Sequence, residues 1–243
     1  MENIELNTII QGDCLDLFKG IKDHSIDAII TDPPYFLGVT NNGMRGTYSD
    51  LIIMKPFFEN LFFEYRRVLK KTGCLYMCCD WRTYPFLYPL LEEYITIRNL
   101  LVWNKKSGPG TFYSFSHEFI IFGMDIPKHM NETSVLTIPA FASGAKKTNG
   151  EKVHPTQKPI ELFEKFILDS TDEGDTVLDT FAGSGTLAIA AMRTKRNYIC
   201  FELQEKYVKI ATERIEAYKG NFNPDIKNYN TEITLFNQHA INT

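Results

Sequence analysis

Short apolar runs alternate along this chain with segments in which apolar residues recur at helical spacing. Apolar runs rich in β-branched residues and bounded by polar residues predict buried strands. Such runs lie at residues 8–10, 26–30, 73–80, 95–103, 118–122, 176–181 and 197–202. Helical spacing predicts helices at residues 14–20, 56–71 and 83–94, from Pro159 onward, and at 186–193 and 204–218. This alternation predicts an α/β fold with a doubly wound, mostly parallel sheet.

One of these predicted strands, residues 26–30, ends at an unusual turn, Thr31-Asp32-Pro33-Pro34-Tyr35. A proline has no N–H to give to a sheet, so the strand must stop there. The turn is stiff and follows the carboxyl end of a strand, where open α/β sheets bind their ligands. Its carboxylate, its carbonyl groups and its aromatic ring suit an amino group on a flat ring. A purely structural Pro-Pro turn is the alternative interpretation.

A second turn, Asp179-Thr-Phe-Ala-Gly-Ser-Gly-Thr186, follows a predicted strand and opens a predicted helix. Its glycines let a ligand approach the backbone, and the helix N-terminus offers N–H groups. The next strand ends in Glu202, whose carboxylate can accept both hydroxyls of a ribose. The third glycine of the dinucleotide fingerprint is missing, which favours a nucleoside over a pyrophosphate. Taken alone, this pattern fits a tight structural turn equally well.

Composition narrows the class of protein. Apolar residues make up 44% of the 243 residues, charged residues 23%, and the net charge is −4. These values are typical of a globular protein and argue against a chain coated in nucleic acid, although a local basic groove stays compatible with them. The five cysteines form no C-x-x-C pair, which predicts buried free thiols and argues against a zinc site. No apolar segment predicts a signal peptide or a membrane span, so a cytoplasmic location is expected.

Three segments together carry a resemblance to a known family: residues 32–35, the lead-in His154-Pro-Thr-Gln-Lys-Pro159, and residues 179–186. They resemble the amino-methyltransferases that use S-adenosylmethionine to methylate exocyclic amines in DNA. The catalytic turn precedes the cofactor glycines, an order similar to that of the β group. This order implies a circularly permuted methyltransferase sheet of seven strands. The family usually has proline where this chain has Thr180, and often glycine where it has Cys200.

The resemblance implies a division of the chain. Residues 1–123 and 154–220 are expected to form a single catalytic domain, residues 124–153 a target-recognition insertion, and residues 221–243 a C-terminal tail. Residues 38–50, with Arg45 and Tyr48, are expected to form a long loop that either closes over the flipped base or wedges into the gap that the base leaves. Several lysines are interpreted either as phosphate contacts or as a solvated face, namely Lys105, Lys106, Lys146, Lys147 and Lys152.

The resemblance also implies site residues. The catalytic set is Asp32, Pro33, Pro34 and Tyr35, with Asp32 and the Pro33 carbonyl accepting from the target amine and Tyr35 stacking on its ring. The cofactor-binding set is Asp13, Cys14, Thr156, Lys158, Asp179, Phe181, Gly183, Ser184, Gly185, Thr186, Glu202 and Leu203. Asp13 has the alternative role of a helix N-cap. Lys158 has the alternative of a solvated residue at a helix start.

The function implied is methyl transfer from S-adenosylmethionine to adenine N6 of a base flipped out of double-stranded DNA. Cytosine N4, adenine in RNA and a non-catalytic nucleotide-binding module are the alternatives. A homodimer and a cognate restriction endonuclease are candidate partners. Glu118 is expected to be a structural support first. Trp103 and Phe112 are expected in the core, with a role as stacking platforms as the alternative.

Overall fold

The computed structural model describes residues 4–34, 40–41, 44–45, 52–106, 108, 110, 112–126, 132–140, 147–148, 151–152 and 157–221. In chain order the elements are β1 (Thr8–Gln11), α1 (Cys14–Leu17), a 3₁₀ turn (Phe18–Gly20), β2 (Ile26–Thr31), β3 (Thr40–Asn41), β4 (Met44–Arg45), α2 (Lys55–Val68), β5 (Leu69–Cys79), α3 (Tyr84–Glu92), β6 (Ile97–Asn104), β7 (His117–Met124), β8 (Val135–Thr137), β9 (Lys147–Thr148), β10 (Glu151–Lys152), α4 (Ile160–Ser170), β11 (Thr176–Asp179), α5 (Thr186–Arg193), β12 (Asn197–Glu202) and α6 (Glu205–Asn221).

The central sheet has eight strands in the order β1-β12-β11-β2-β5-β7-β6-β8. Only β7 runs antiparallel to its neighbours, and every other neighbouring pair is parallel. The prediction of a doubly wound, mostly parallel α/β sheet is therefore confirmed, but the prediction of seven strands is wrong, because the sheet has eight. The strand not predicted is β8, which pairs with β6 at the edge and comes from within residues 124–153. Its three residues are too few to show a period of two in the sequence.

The order of the strands brings distant parts of the chain together. Strand β2 ends at the proline turn, and its neighbour β11 ends at the glycine turn. Leu178 of β11 aligns with Ile29 of β2. Because the two strands are parallel, both turns lie at the same carboxyl edge of the sheet.

The sheet is buried on both faces. On one face α2 packs Phe58, Phe62 and Tyr65 against strand residues that include Ile29. On the other face α4 and α5 cover Ala28 and Ile30. This alternation of neighbours along β2 is the period of two expected for a strand. All five cysteines are buried free thiols, as predicted.

Several boundaries differ from the predicted ones. Helix α2 ends at Val68 and β5 begins at Leu69, whereas the sequence predicts helix to residue 71. The early start of β5 is stabilised by an ion pair between Lys70 and Asp27 of the neighbouring strand. Pro159 is the N-cap of α4 rather than its first residue.

Within residues 38–50, the described parts form the antiparallel pair β3–β4. Tyr48 lies outside the described residues, as do residues 222–243. Among the helices that the structure describes, none is long and apolar enough to cross a membrane.

Candidate active site

Two acidic residues, one from each turn, lie side by side at the carboxyl edge of the sheet. The Thr31 hydroxyl, next to Asp32, donates to Asp179 Oδ1 over 2.9 Å. These two residues lie 148 positions apart in the chain. Pro33 is buried and Pro34 is exposed, and Tyr35 and Thr156 lie outside the described residues. The structure therefore brings the first residues of the proline turn against the start of the glycine turn.

Asp32 belongs to a chain of alternating charges. Lys158 Nζ lies 2.6 Å from Asp32 Oδ2 and 3.2 Å from Glu118 Oε2. Lys105 Nζ lies 3.0 Å from Glu118 Oε1. The Lys158 side chain is only 6% exposed, so the alternative of a solvated residue is wrong. The four charges cancel, which is what allows them to lie so close to the core.

The charges of this network are fixed by their mutual contacts. Burial alone would lower the pKa of the Lys158 ammonium, but the carboxylates of Asp32 and Glu118 raise it above its ordinary value. Burial alone would likewise raise the pKa of Glu118, and the two lysines reverse that and lower it. Lys158 therefore stays positive and Glu118 negative at neutral pH. Lys158 was expected at the cofactor, and in the structure its ammonium faces the carboxylate of Asp32.

Asp179 lies at the end of a chain of buried hydroxyl groups. Tyr65 OH lies 2.7 Å from Thr180 Oγ1, which lies 3.2 Å from Thr31 Oγ1. Because Thr31 gives its only proton to Asp179, Thr180 must donate to Thr31 and Tyr65 must donate to Thr180. The Phe181 amide also donates to Asp179 Oδ1, over 3.0 Å. Thr180, where the resembling family usually has proline, is thus one link of a fully satisfied network.

The buried position of Asp179 predicts a pH-dependent stability. Burial raises the pKa of Asp179 from 3.8 to about 7, against the opposing hydrogen bonds from Phe181 and Thr31. Between these values the folded protein holds a proton that the unfolded chain releases, so the free energy of unfolding falls as the pH rises, by up to about 1.4 kcal/mol per pH unit. We expect urea titrations from pH 4.5 to 7.5 to show this fall in the wild type and a flatter profile in Asp179→Asn. Equal slopes would contradict the assignment.

The glycine turn is held by backbone geometry and by Glu202. Gly183 and Gly185 have φ values of 51° and 78°, a region that favours glycine. Gly183 N–H donates to Glu202 Oε2 and Gln204 N–H to Glu202 Oε1, each over 2.9 Å. A carboxylate has about four acceptor sites, so Glu202 can also accept two ribose hydroxyls. No side chain caps the N-terminus of α5, which follows this turn.

Arg214, from helix α6, contacts the glycine turn at Ser184. Its Nη1 donates to the Ser184 carbonyl and, over 2.8 Å, to the Ser184 hydroxyl. Burial lowers the pKa of Arg214 to about 10. Among the described residues no carboxylate forms an ion pair with this guanidinium. Sequence reasoning missed Arg214 because it lies on the polar side of a helical pattern 30 residues beyond the turn.

Replacing Arg214 with glutamine is expected to weaken S-adenosylmethionine binding about tenfold, because the loss of a charged hydrogen bond, about 1.5 kcal/mol, loosens the turn. Calorimetric titration with S-adenosylmethionine measures this. Arg196→Gln is the matched control, since Arg196 is also partly buried and bonds Thr171 and Thr194, which lie away from the glycine turn. Equal affinities in the two variants would show that Arg214 does not position the turn.

The remaining predicted cofactor residues occupy different environments. Asp13 is the N-cap of α1 and accepts from Leu15 N–H over 2.8 Å, which is its alternative role. Cys14 is buried, and burial raises the pKa of its thiol to about 12. Phe181 packs edge-to-face with Phe57. The Thr186 hydroxyl donates to the Lys158 carbonyl over 3.5 Å, and Leu203 is exposed.

The structure bears on two expectations about other residues. Glu118 pairs with Lys158 in the charge network, which agrees with its expected structural role. The expectation that Phe112 lies in the core is wrong. Phe112 is 96% exposed, whereas Trp103, expected in the core with it, is buried. The sequence gives a hint of this difference, since Phe112 lies in a polar connection with two glycines.

The residues at this edge fit S-adenosylmethionine. Two glycines let a ligand approach the backbone of the turn, an uncapped helix N-terminus offers N–H groups to a carboxylate, and Glu202 offers acceptors to a ribose. Asp179 lies directly before the turn and either orients it or meets an ammonium group. The site thus has donors suited to the carboxylate of the cofactor and acceptors suited to its ribose hydroxyls.

Comparison with known proteins agrees with this geometry. A family model described as DNA methylase matches residues 26–135 and 124–213. The type II methyltransferase M.HinfI of Haemophilus influenzae is 33% identical over 96% of this chain and 75% of its own length. The DNA adenine methyltransferase YhdJ of Escherichia coli strain K12 is 28% identical over 88% of this chain and 84% of its own length.

Solved structures share the fold. The crystal structure of an M1.HpyAVI–SAM complex superposes with a TM-score of 0.66 at 27% identity, covering 86% of this chain and 98% of that one. The cytosine-N4-specific PvuII DNA methyltransferase has a TM-score of 0.70 at 19% identity, covering 98% and 93%. At this identity the second likeness concerns the fold alone. With the matched family model and the cofactor-competent glycine turn beside an Asp-Pro-Pro-Tyr turn, this chain belongs to the DNA methylase family of S-adenosylmethionine-dependent amino-methyltransferases.

Proposed function

We propose that this protein is a site-specific DNA methyltransferase that transfers a methyl group from S-adenosylmethionine to adenine N6 of a flipped-out base. The observation that carries the proposal is the contact between Thr31 and Asp179, which joins the proline turn to the glycine turn. The acidic residue at the first position of the proline turn favours adenine over cytosine. The similarity to a relative named as a DNA adenine methyltransferase supports the same choice.

In this proposal Asp32 and the Pro33 carbonyl activate the target amine. An exocyclic amine donates its lone pair into the ring and is therefore a poor nucleophile. When two acceptors accept hydrogen bonds from its N–H groups, the nitrogen moves toward tetrahedral geometry, and its lone pair points out of the ring plane toward the methyl donor. S-adenosylmethionine, when bound, supplies the electrophilic sulfonium methyl group. Asp32 then takes the proton that the amine loses, and Tyr35 stacks on the ring.

Lys158 has a positioning role in this mechanism. Its contact with Asp32 Oδ2 fixes the carboxylate, and Glu118 and Lys105 hold Lys158 in place. A carboxylate oxygen has a second lone pair, so Asp32 accepts from the target amine while it stays paired with Lys158. This arrangement places the acceptors before the base arrives, and such orientation lowers the barrier to transfer.

The test is methyl transfer from labelled S-adenosylmethionine to duplex DNA and to RNA, followed by nucleoside analysis. N6-methyladenine at one sequence in DNA is the expected product, and sequencing of the methylated DNA gives that sequence. N4-methylcytosine, or label in RNA alone, would replace the proposed acceptor with one of the alternatives. Binding of S-adenosylmethionine without transfer to any acceptor would favour a non-catalytic module.

Several further assignments belong to the same proposal. Residues 124–153 act in target recognition, and β8 ties this segment to the edge of the catalytic sheet. Double-stranded DNA is the macromolecular substrate, with a homodimer and a cognate restriction endonuclease as candidate partners. The names of the relatives as type II methyltransferases support a role in restriction and modification.

A further inference from the structure

Strands β6 and β7 continue beyond the sheet as a narrow projection, here called the β6–β7 finger and defined by the described residues between Asn104 and His117. The ladder pairs Asn104 with His117, and Lys105 N–H then donates to the Ser116 carbonyl over 2.7 Å. Farther out, the two limbs touch at two glycines. A side chain at Gly108 would collide with the Phe115 carbonyl, and one at Gly110 with the Tyr113 carbonyl.

The tip of this finger is aromatic and exposed. Phe112 is 96% and Tyr113 92% exposed, the highest values among large apolar side chains of the described residues. Closer to the sheet, the Arg82 guanidinium lies 5.3 Å from the centre of the Phe115 ring and 4.9 Å from that of the Trp81 ring. Such exposure is unusual for rings of this size, and it indicates a surface that meets another molecule.

The base of the finger is part of the active-site edge. Lys105 and Glu118, from its two limbs, end the charge network that reaches Asp32 through Lys158. From His117 to Phe112 there are five residues, which span at most about 16 Å when extended. Because β6 ends and β7 begins at the edge of the sheet where β2 ends, the finger projects from the same edge that carries Asp32.

We propose that Phe112 and Tyr113 insert into the substrate duplex beside the flipped-out base and fill the space that it leaves. This inference rests on the proposed function. Unstacking and unpairing a base costs a few kcal/mol, and stacking of an aromatic ring on a base returns about 1–3 kcal/mol. Apolar side chains act as such wedges in other DNA-bending proteins.

DNA fits the finger better than a protein partner does. Two rings on a narrow tip bury at most about 150–250 Å² each, well below the roughly 800 Å² per partner of a stable protein interface. Lys106, next to Lys105 at the base of the finger, is exposed, and its ammonium is suited to a backbone phosphate. A second copy of the chain is the competing occupant, and its involvement is an outcome of the test.

The test compares the double variant F112A/Y113A with the wild type and with Phe63→Ala, which removes a ring 56% exposed on α2. The DNA is a duplex that carries the mapped methylation sequence with 2-aminopurine at the target position. We expect the double variant to lose at least tenfold in duplex affinity and most of the fluorescence increase on base flipping. On a duplex with an abasic site opposite the target, the loss is expected to be much smaller. S-adenosylmethionine affinity and thermal stability stay at wild-type values.

Two results would overturn this inference while leaving the proposed function intact. One is that the double variant methylates the paired duplex at the wild-type rate and flips the target base to the same extent as the wild type. The other is a change in the sedimentation of the free protein without a change in DNA binding, which would identify a contact between copies. Phe112→Trp keeps a ring at the tip and is expected to retain flipping. If the wild type methylates no DNA, the proposed function itself fails.

Discussion

Asp32→Asn is expected to reduce methyl transfer by about 10²–10⁴-fold, the usual contribution of a positioned acid–base group. The amide keeps the shape of the side chain but is far less basic than the carboxylate, so it cannot take the proton of the amine. It also has one acceptor oxygen where the carboxylate has two. Single-turnover methyl transfer at saturating S-adenosylmethionine measures the effect. Cofactor affinity is expected to stay nearly unchanged, because the cofactor contacts belong to the glycine turn.

Asp27→Asn is the matched control for this experiment. Asp27 lies at the other end of β2 and is also paired with a lysine, since its Oδ1 lies 2.7 Å from Lys70 Nζ. The two substitutions therefore remove the same charge, one near the start of β2 and one directly after its end. Activity retained in Asp32→Asn, or lost equally in Asp27→Asn, would contradict the assignment of Asp32 as the acceptor.

Lys158→Met is expected to lower the free energy of unfolding by about 3–5 kcal/mol, the usual cost of removing one partner from a buried ion pair. The substitution leaves the carboxylates of Asp32 and Glu118 facing each other without the cation between them. Urea unfolding at pH 7 measures the loss. Activity is expected to fall as well, since Asp32 loses the contact that fixes its orientation.

Two further variants separate the loss of charge pairing in Lys158→Met from the loss of packing. Lys165→Met removes a lysine that pairs with Glu132 and Asp169 but is more exposed, and a loss of at most about 1 kcal/mol is expected. Adding Glu118→Gln to Lys158→Met is expected to recover part of the stability, because one of the two facing charges disappears. The contrary outcome is a double variant that loses more unfolding free energy than the two single variants lose together. In that case the charge network is not the cause of the loss in Lys158→Met.

The pH range of this experiment follows from the signs of the shifts. The raised pKa of Lys158 means that its contribution is complete below the ordinary lysine value of about 10.4 and is lost above it. The lowered pKa of Glu118 means that its contribution is complete above the ordinary value of about 4.3 and is lost on acidification. The network therefore contributes fully at pH 7.

The sequence predicts most of the sheet and both turns, because these depend on local patterns. Residues 26–35 contain a strand, its stop and a carboxylate within ten positions, and residues 179–186 contain a turn and a helix start. Tyr65 is predicted in the core by its helical spacing, and it is buried there. The hydrogen bond from its hydroxyl to Thr180 is not predictable, because the two residues lie 115 positions apart.

The charge network is not predictable from the sequence either, because its partners are also far apart in the chain. Lys158 and Asp32 lie 126 positions apart, and nothing near Glu118 in the chain indicates its partner. The finger escapes for a different reason. The polar residues and glycines of this connection only hint that Phe112 is exposed, and no local pattern predicts that the two limbs approach each other closely at Gly108 and Gly110.

The position of β2 also has a consequence for how the protein forms in the cell. Its end contacts the end of β11 through two residues that lie 148 positions apart. During synthesis β2 can therefore pair with β11 only after these later residues have been made. At ribosomal rates of about 5–20 residues per second the delay is about 7–30 s. The nascent chain cannot assemble a working catalytic centre until nearly all of its sheet has been translated. Premature methylation by incomplete chains is therefore prevented by the order of the strands.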